Sequence, residues 1–177
     1  MAATLQEVSG GRVVLGLGAG GGGRRYVREQ EAIGRTVAPD AVRRTQVEAC
    51  ISEVRRLWRS PGFLEPDPHP PFVIGARGPK MAELAGWVGD GMNTRATHPR
   101  LQELVTLARD AHARSDRDPG RFLVTALAEF DERWLAIGSP ERAGLAAIGV
   151  DRLILSVPAP YDRRRITKAG RSLGQVA

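Results

Sequence analysis

Two glycine-rich segments carry the residue types best suited to hold a phosphate. The segment Gly75-Ala76-Arg77-Gly78-Pro79-Lys80 follows a short apolar run, FVIGA at 72–76, and precedes a stretch with helical apolar spacing. A strand-to-helix turn of this kind aims backbone N–H groups at one point, and the start of the helix favours an anion there. Pro79 suits the first helical position, where a missing N–H costs nothing. Arg77 and Lys80 add positive charge. A tight turn with no ligand satisfies the same residues equally well. The other segment, Gly16-Leu17-Gly18-Ala19-Gly20-Gly21, formally matches G-x-G-x-x-G. A dinucleotide site would need a helix to begin at that loop, and a second strand ending in an acid about 20 residues on. Residues 24–33 are mostly polar and the next strong element is a helix. Neither requirement is expected to be met, and a Rossmann NAD site is set aside.

Other reactive side chains are isolated. Cys50 is the only cysteine, so no internal disulfide can form. It lies among Val47, Ile51 and Val54 and reads as a small buried hydrophobe rather than a nucleophile. His69 falls in a proline-rich loop, His98 just before an expected helix and His112 on that helix, and each reads as a surface residue. No metal-ligand set is expected, and no catalytic acid or base is assigned.

The elements that must position the loops alternate regularly. Residues 12–18 (RVVLGLG) read as a buried strand. Residues 40–59 form an amphipathic helix with Val47, Cys50, Ile51, Val54, Leu57 and Trp58 on one stripe, while Arg43, Arg44, Glu48 and Glu53 lie off it. Pro61-Gly62 ends that helix, and the strand 72–76 follows a proline-rich loop. Met81, Leu84, Ala85 and Val88 give the next helix its inner face, and Met92-Asn93-Thr94 is a short strand. A helix over 99–114 leads to a strand over 121–130. Ser139-Pro140-Glu141 combines a capping hydroxyl, a first-position proline and a first-turn acid, and Gly149 supplies the stop. The strand 151–157 and a helix over 160–173 complete the chain.

Parallel strands need a crossover, which a helix supplies, so this alternation implies a parallel sheet. About five βα units are present, whereas a full eight-stranded barrel typically needs about 250 residues. The architecture is therefore an open α/β sheet or an incomplete barrel, as one domain over residues 1–177. Hydrophobic residues at 42% and charged residues at 26% are ordinary globular usage. No apolar run approaches the roughly 20 residues that span a bilayer, and residues 1–11 do not resemble a signal peptide. A soluble cytoplasmic protein with no membrane partner is expected. The net charge of +6 admits an anionic partner, but the arginines are scattered and only Arg163, Arg164 and Arg165 form a run. With no zinc-finger or RNP-type pattern, nucleic acid is not expected as a partner.

Four segments together resemble the luciferase-like monooxygenase family: SGGRVVLGLGAG at 9–20, RRTQVEACISEVRRLW at 43–58, PPFVIGARGPKMAELAGWVGDGMNT at 70–94 and GSPERAGLAAIGVDRLIL at 138–155. The third is the most specific, since it is similar to the family's fifth strand, phosphate loop, helix and sixth strand in unbroken order. The resemblance implies a partial (β/α)8 TIM barrel carrying strands four to eight. It implies a flavin- or deazaflavin-dependent oxidoreductase or monooxygenase acting on a small organic substrate, with FMN or coenzyme F-420 at the C-terminal face. Gly75, Ala76, Arg77, Gly78 and Pro79 would hold the coenzyme phosphate through backbone N–H groups. Ala19, Gly20 and Gly21 would line the site beside the ring system, and Asn93 and Thr94 could reach the phosphate or ribityl chain.

The chain departs from the family pattern in two ways. Met1 to Leu5 resembles the end of the family's third helix, so the first three strands, which usually carry the acid, base or His residues near the ring, have no counterpart. Residues 20–23 are glycine where many relatives have an aromatic or polar residue. A partial barrel exposes a sheet edge and an apolar face, and such surfaces pair. Association with a missing N-terminal part, or homo-oligomerisation, is therefore expected. The alternatives are a non-catalytic binding or assembly module made from the half barrel, and a basic nucleic-acid binder with steep salt dependence.

Overall fold

The computed structural model describes residues 1–174 apart from 22 and 137. In chain order the elements are α1 (Ala2–Ser9), β1 (Leu15–Leu17), α2 (Arg24–Ala32), α3 (Asp40–Trp58), β2 (Phe72–Gly75), α4 (Pro79–Val88), β3 (Gly91–Arg95), α5 (Leu101–Ala113), β4 (Leu123–Glu129), α6 (Pro140–Ala147), β5 (Arg152–Ser156) and α7 (Arg163–Gly174). The five strands are all parallel and lie in the order β1-β2-β3-β4-β5. Each strand neighbours the next in sequence, with no reversal. That is the winding of a (β/α) barrel, so the sheet is a half barrel rather than a doubly wound sheet. It also lacks the switch point at which a doubly wound sheet opens a dinucleotide crevice.

Side chains alternate between the two faces of each strand. Phe72, Ile74, Met92, Val124 and Ala126 face the helices and are at most 2% exposed. They pack with Val47 and Ile51 of α3, Ala82 and Ala85 of α4, and Leu104, Val105 and Ala108 of α5. Val14, Leu127 and Ile154 instead border the concave face and are 43%, 37% and 42% exposed. No helix of the described residues is long and apolar enough to cross a membrane.

Small residues decide how closely the helices approach. A Cβ on Gly86 of α4 would collide with the Ala108 carbonyl and lie 2.6 Å from the Ala111 Cβ, so only glycine lets α4 and α5 pack this tightly. That packing buries His112, which the sequence reading placed on the surface. His112 is 3% exposed, its ring lies 4.8 Å from that of Phe122, and its two nitrogens reach the carbonyls of Gly86 and Asp118 at 3.3 and 2.9 Å. Position 112 is one turn beyond Ala108 and shares its inward face.

Two other expectations are corrected on α3. Cys50 is exposed. The buried stripe runs through Arg43, Val47, Ile51 and Trp58, and Cys50 is rotated about 100° from Ile51. Arg43, expected off the stripe, is buried. On the outer faces of α3 and α5, hydrogen bonds from Arg56 and Arg100 hold Glu53 and Glu103 below the usual carboxylate range.

The N-terminal rim of the sheet is locked by a device used twice. Asp90, just before β3, accepts the Phe72 amide at 2.8 Å and pairs with Arg55 of α3 at 2.9 Å, and Arg117 closes on its other oxygen. Arg55 also donates to the Val88 carbonyl at 3.0 Å. Asp151, just before β5, accepts the Val124 amide at 2.7 Å, while Arg109 of α5 donates to the Gly149 carbonyl at 2.8 Å and lies 3.2 Å from Asp151. In both cases an acid at the helix-to-strand turn satisfies the amide of a neighbouring strand, and an arginine from the preceding crossover helix ties the turn down.

Candidate functional site

The C-terminal rim is built from the loops that leave these strands. β2 ends at Gly75, and the Ala76 amide still donates to the Asn93 carbonyl at 2.8 Å, which carries the sheet one residue further. Gly78 then caps α4, with Pro79 in the first turn and no side-chain cap. The Gly78 carbonyl accepts the amides of Met81 and Ala82, each at 3.1 Å. The amides of Arg77 and Gly78 have no acceptor among the described residues. Free N–H groups at a helix start form an anion site. The space above them is open: a Cβ on Gly78 would meet nothing within 4 Å, and Gly78 itself is extended, with φ at −162°.

The register of Gly75 with Asn93 sets the next strand end. Asn93 turns to the concave face and donates to the Thr125 hydroxyl at 2.6 Å, and that hydroxyl donates to the Met92 carbonyl at 3.3 Å. Thr94 turns the opposite way, into the helix layer, because neighbouring strand residues face opposite sides. It is 4% exposed and its hydroxyl has no partner among the described residues. The sequence reading grouped Asn93 and Thr94; the fold sends them to different sides of the sheet.

The loop after β1 differs from expectation. A helix does start there, since α2 begins at Arg24 directly after Gly23. Its polar composition hid it: no residue of α2 is buried, so it carries no apolar stripe. The second requirement for a dinucleotide site is still unmet, because the strand beside β1 is β2, more than 50 residues on. Gly20 has φ at +73°, and Tyr26 of α2 packs over it, so a Cβ there would come within 2.5 Å of the Tyr26 hydroxyl oxygen. Tyr26 thus puts an aromatic ring beside a loop that is itself glycine. Sequence reasoning missed it because an isolated tyrosine in a polar segment carries no pattern.

Arg43 was also missed as a site residue. It reaches from the first turn of α3 to the Ala19 carbonyl at 2.8 Å and pairs with Asp40. Its Nε is buried without a partner among the described residues. The available signal was spacing: positions 43, 47 and 51 share one helix face. Ala19, Gly20 and Gly21 are therefore held from below by Arg43 and covered by Tyr26, while Gly75 to Pro79 form the open part of the rim.

Comparison with known proteins gives this arrangement a family. The luciferase-like monooxygenase family model matches residues 1–130. The 5,10-methylenetetrahydromethanopterin reductase of Archaeoglobus fulgidus is 33% identical over 120 residues, covering 61% of this chain and 34% of the relative. Its counterpart from Methanolobus tindarius is 31% identical over 148 residues, covering 72% of this chain and 41% of the relative. The chain thus spans between about a third and two fifths of these relatives' length. Among solved structures, an F420-dependent secondary alcohol dehydrogenase in complex with an F420-acetone adduct superposes with a TM-score of 0.62 at 20% identity, over 98% of this chain and 64% of the other. The coenzyme F420 dependent tetrahydromethanopterin reductase from Methanopyrus kandleri does so with a TM-score of 0.62 at 17% identity, over 98% and 76%. These two likenesses concern the fold. The chain belongs to the luciferase-like monooxygenase family.

Proposed function

We propose that this half barrel carries the coenzyme-phosphate side of a flavin- or deazaflavin-dependent oxidoreductase, with FMN or coenzyme F-420 as the coenzyme. The observation that carries the reading is the pair of amides at Arg77 and Gly78, which have no acceptor among the described residues and lie beneath open space at the start of α4. The amides of Arg77 and Gly78 hold the phosphate, and Arg77 and Lys80 add charge. Gly75, Ala76 and Pro79 shape the cradle without donating to it, since Ala76 gives its amide to the Asn93 carbonyl and Pro79 has none. Asn93 faces the concave side, where the rest of the coenzyme would lie. Ala19, Gly20 and Gly21, with Tyr26, bound the same rim. The bound coenzyme supplies hydride transfer or, as reduced FMN, oxygen activation; the protein binds and orients it. Relatives that use coenzyme F420 support the deazaflavin side of this pair.

The test is a titration of the purified chain with FMN and, separately, with coenzyme F-420, followed by fluorescence or calorimetry. Saturable binding near the micromolar range is expected, and Gly78→Val should weaken it about tenfold or more. Its chain neighbours aside, no atom of the described residues lies within 4 Å of a Cβ placed on Gly78, so the variant should keep the wild-type melting temperature. A folded wild-type chain that binds neither coenzyme would end the proposal.

A second reading has its own observation. The concave face bordered by Val14, Leu127 and Ile154 is open. It favours association, with further barrel strands or with a second copy, and fits a non-catalytic assembly module. Turnover of a reduced coenzyme separates the two readings, since only the oxidoreductase should show it.

A further inference from the structure

Beyond the phosphate loop, the C-terminal rim holds a second concavity of about 380 Å³ at the ends of β3, β4 and β5. Its walls include Arg95, Glu129, Asp131, Arg133, Trp134 and Ser156. Two of the four charges satisfy each other. Asp131 accepts the Arg133 amide at 2.9 Å and lies 3.7 Å from its guanidinium, which also sits 5.5 Å from the centre of the Trp134 ring. The other two charges, Arg95 and Glu129, have no side-chain hydrogen bond or ion pair among the described residues.

Register puts these two on the same side. Asn93 faces the concave side with Thr125, so Arg95 follows on β3, and Leu127 and Glu129 follow on β4. Arg95 pairs in register with Leu127, and Glu129 is two residues further on. With about 3.3 Å per residue and about 4.8 Å between strands, their Cα atoms are about 8 Å apart on the diagonal. Opposite charges this close on one wall, left apart from each other, are the complement of a short molecule with an anionic end and a hydrogen-bond donor. The guanidinium fork matches a carboxylate, and the Glu129 carboxylate accepts from a hydroxyl or an amine. The buried Trp134 gives the cavity an apolar wall.

We propose that this cavity is the substrate subsite, for a short carboxylate that carries a hydroxyl or amine donor, with Arg95 binding the carboxylate and Glu129 the donor. The assignment rests on the reading above that the coenzyme occupies the same rim.

The test uses glycolate as probe, with acetate lacking the donor and methyl glycolate lacking the charge, titrated into the 15N-labelled full chain and followed by NMR. Glycolate should saturate, with shifts centred on residues 95–97 and 127–131, and should bind more tightly than acetate; methyl glycolate should not bind. Arg95→Gln should weaken both carboxylates about tenfold or more. Glu129→Gln should erase the preference for glycolate over acetate while leaving acetate binding as it was. Both side chains are exposed, so neither variant should lose its fold. Equal binding of the three probes, no saturable binding of glycolate, or variants that bind as wild type would each overturn the proposal. Titrating FMN and coenzyme F-420 into the same variants separates it from the coenzyme reading. Coenzyme affinity should be unchanged in both. Glycolate binding that depends on Arg95, in a chain that binds neither coenzyme, would keep the subsite and discard the coenzyme site.

Discussion

The two rims of this sheet are built on opposite principles. At the N-terminal rim each turn is closed: Asp90 and Asp151 satisfy the amides of Phe72 and Val124, and arginines from α3 and α5 bind the acids and the adjacent carbonyls. At the C-terminal rim groups are left over: the amides of Arg77 and Gly78, the Thr94 hydroxyl and the Arg43 Nε have no partner among the described residues. Buried polar atoms are nearly always paired, so those that are not call for an explanation. In barrels of this type ligands gather at the C-terminal ends of the strands, and residues at the opposite end serve stability. The contrast teaches that the chain itself finishes one rim and leaves polar groups of the other without partners among the described residues.

Asp90→Ala should break this contrast most severely. It removes the shared acceptor of Phe72, Arg55 and Arg117 and leaves two arginines, each more than two-thirds buried, without their acid. A loss of about 3 kcal/mol is expected from such a removal, read as a lower urea midpoint with unchanged slope. A midpoint at the wild-type value would mean that the N-terminal rim does not hold the fold. Gly78→Val should do the reverse at the other rim. Coenzyme affinity should fall by about tenfold or more, at least 1.4 kcal/mol, while the urea midpoint stays in place. Loss of stability without loss of binding would erase the distinction between the rims.

Smaller effects sharpen the comparison. Arg43→Met removes the donor to the Ala19 carbonyl. It should cost about 1 kcal/mol and speed hydrogen exchange at the amides of Ala19 to Tyr26, leaving those of β3 and β4 protected. Uniform acceleration across the sheet would make Arg43 a general core residue and not the support of that loop. Thr94→Val should have the smallest effect and the most informative sign. The hydroxyl is buried and has no partner among the described residues, so an isosteric methyl should stabilise the chain by about 0.5 kcal/mol. If the hydroxyl serves the phosphate site, the same change should weaken coenzyme binding. A variant that is both stabler and unimpaired in binding would remove Thr94 from the site.

Much of this was legible in the residues themselves. Alternating strand and helix signals, the Ser139 cap, Pro79 at the start of α4 and the Gly149 stop are local, and the structure follows them. Ser139 does accept the Arg142 amide, at 3.2 Å, and Gly149 does take a positive φ, at +84°. The order of the strands was not legible, and periodicity alone left an open sheet and an incomplete barrel equally available. Helix α2 was invisible because none of its residues is fully buried, and burial is what writes an apolar stripe into a helix.

The sequence by itself determined most of the elements, the strand-to-helix turn at 75–80 and the family, because these depend on neighbours in the chain and on short patterns. Only the tertiary structure decided which polar groups are used up and which remain open. Arg43 became buried because α3 packs that face onto the loop after β1, and His112 because Gly86 lets α5 close onto α4. Arg95 and Glu129 came to one wall because parallel pairing put β3 beside β4 in a particular register. Each of these outcomes depends on residues distant in the chain meeting across a packed layer, and no local pattern encodes such a meeting.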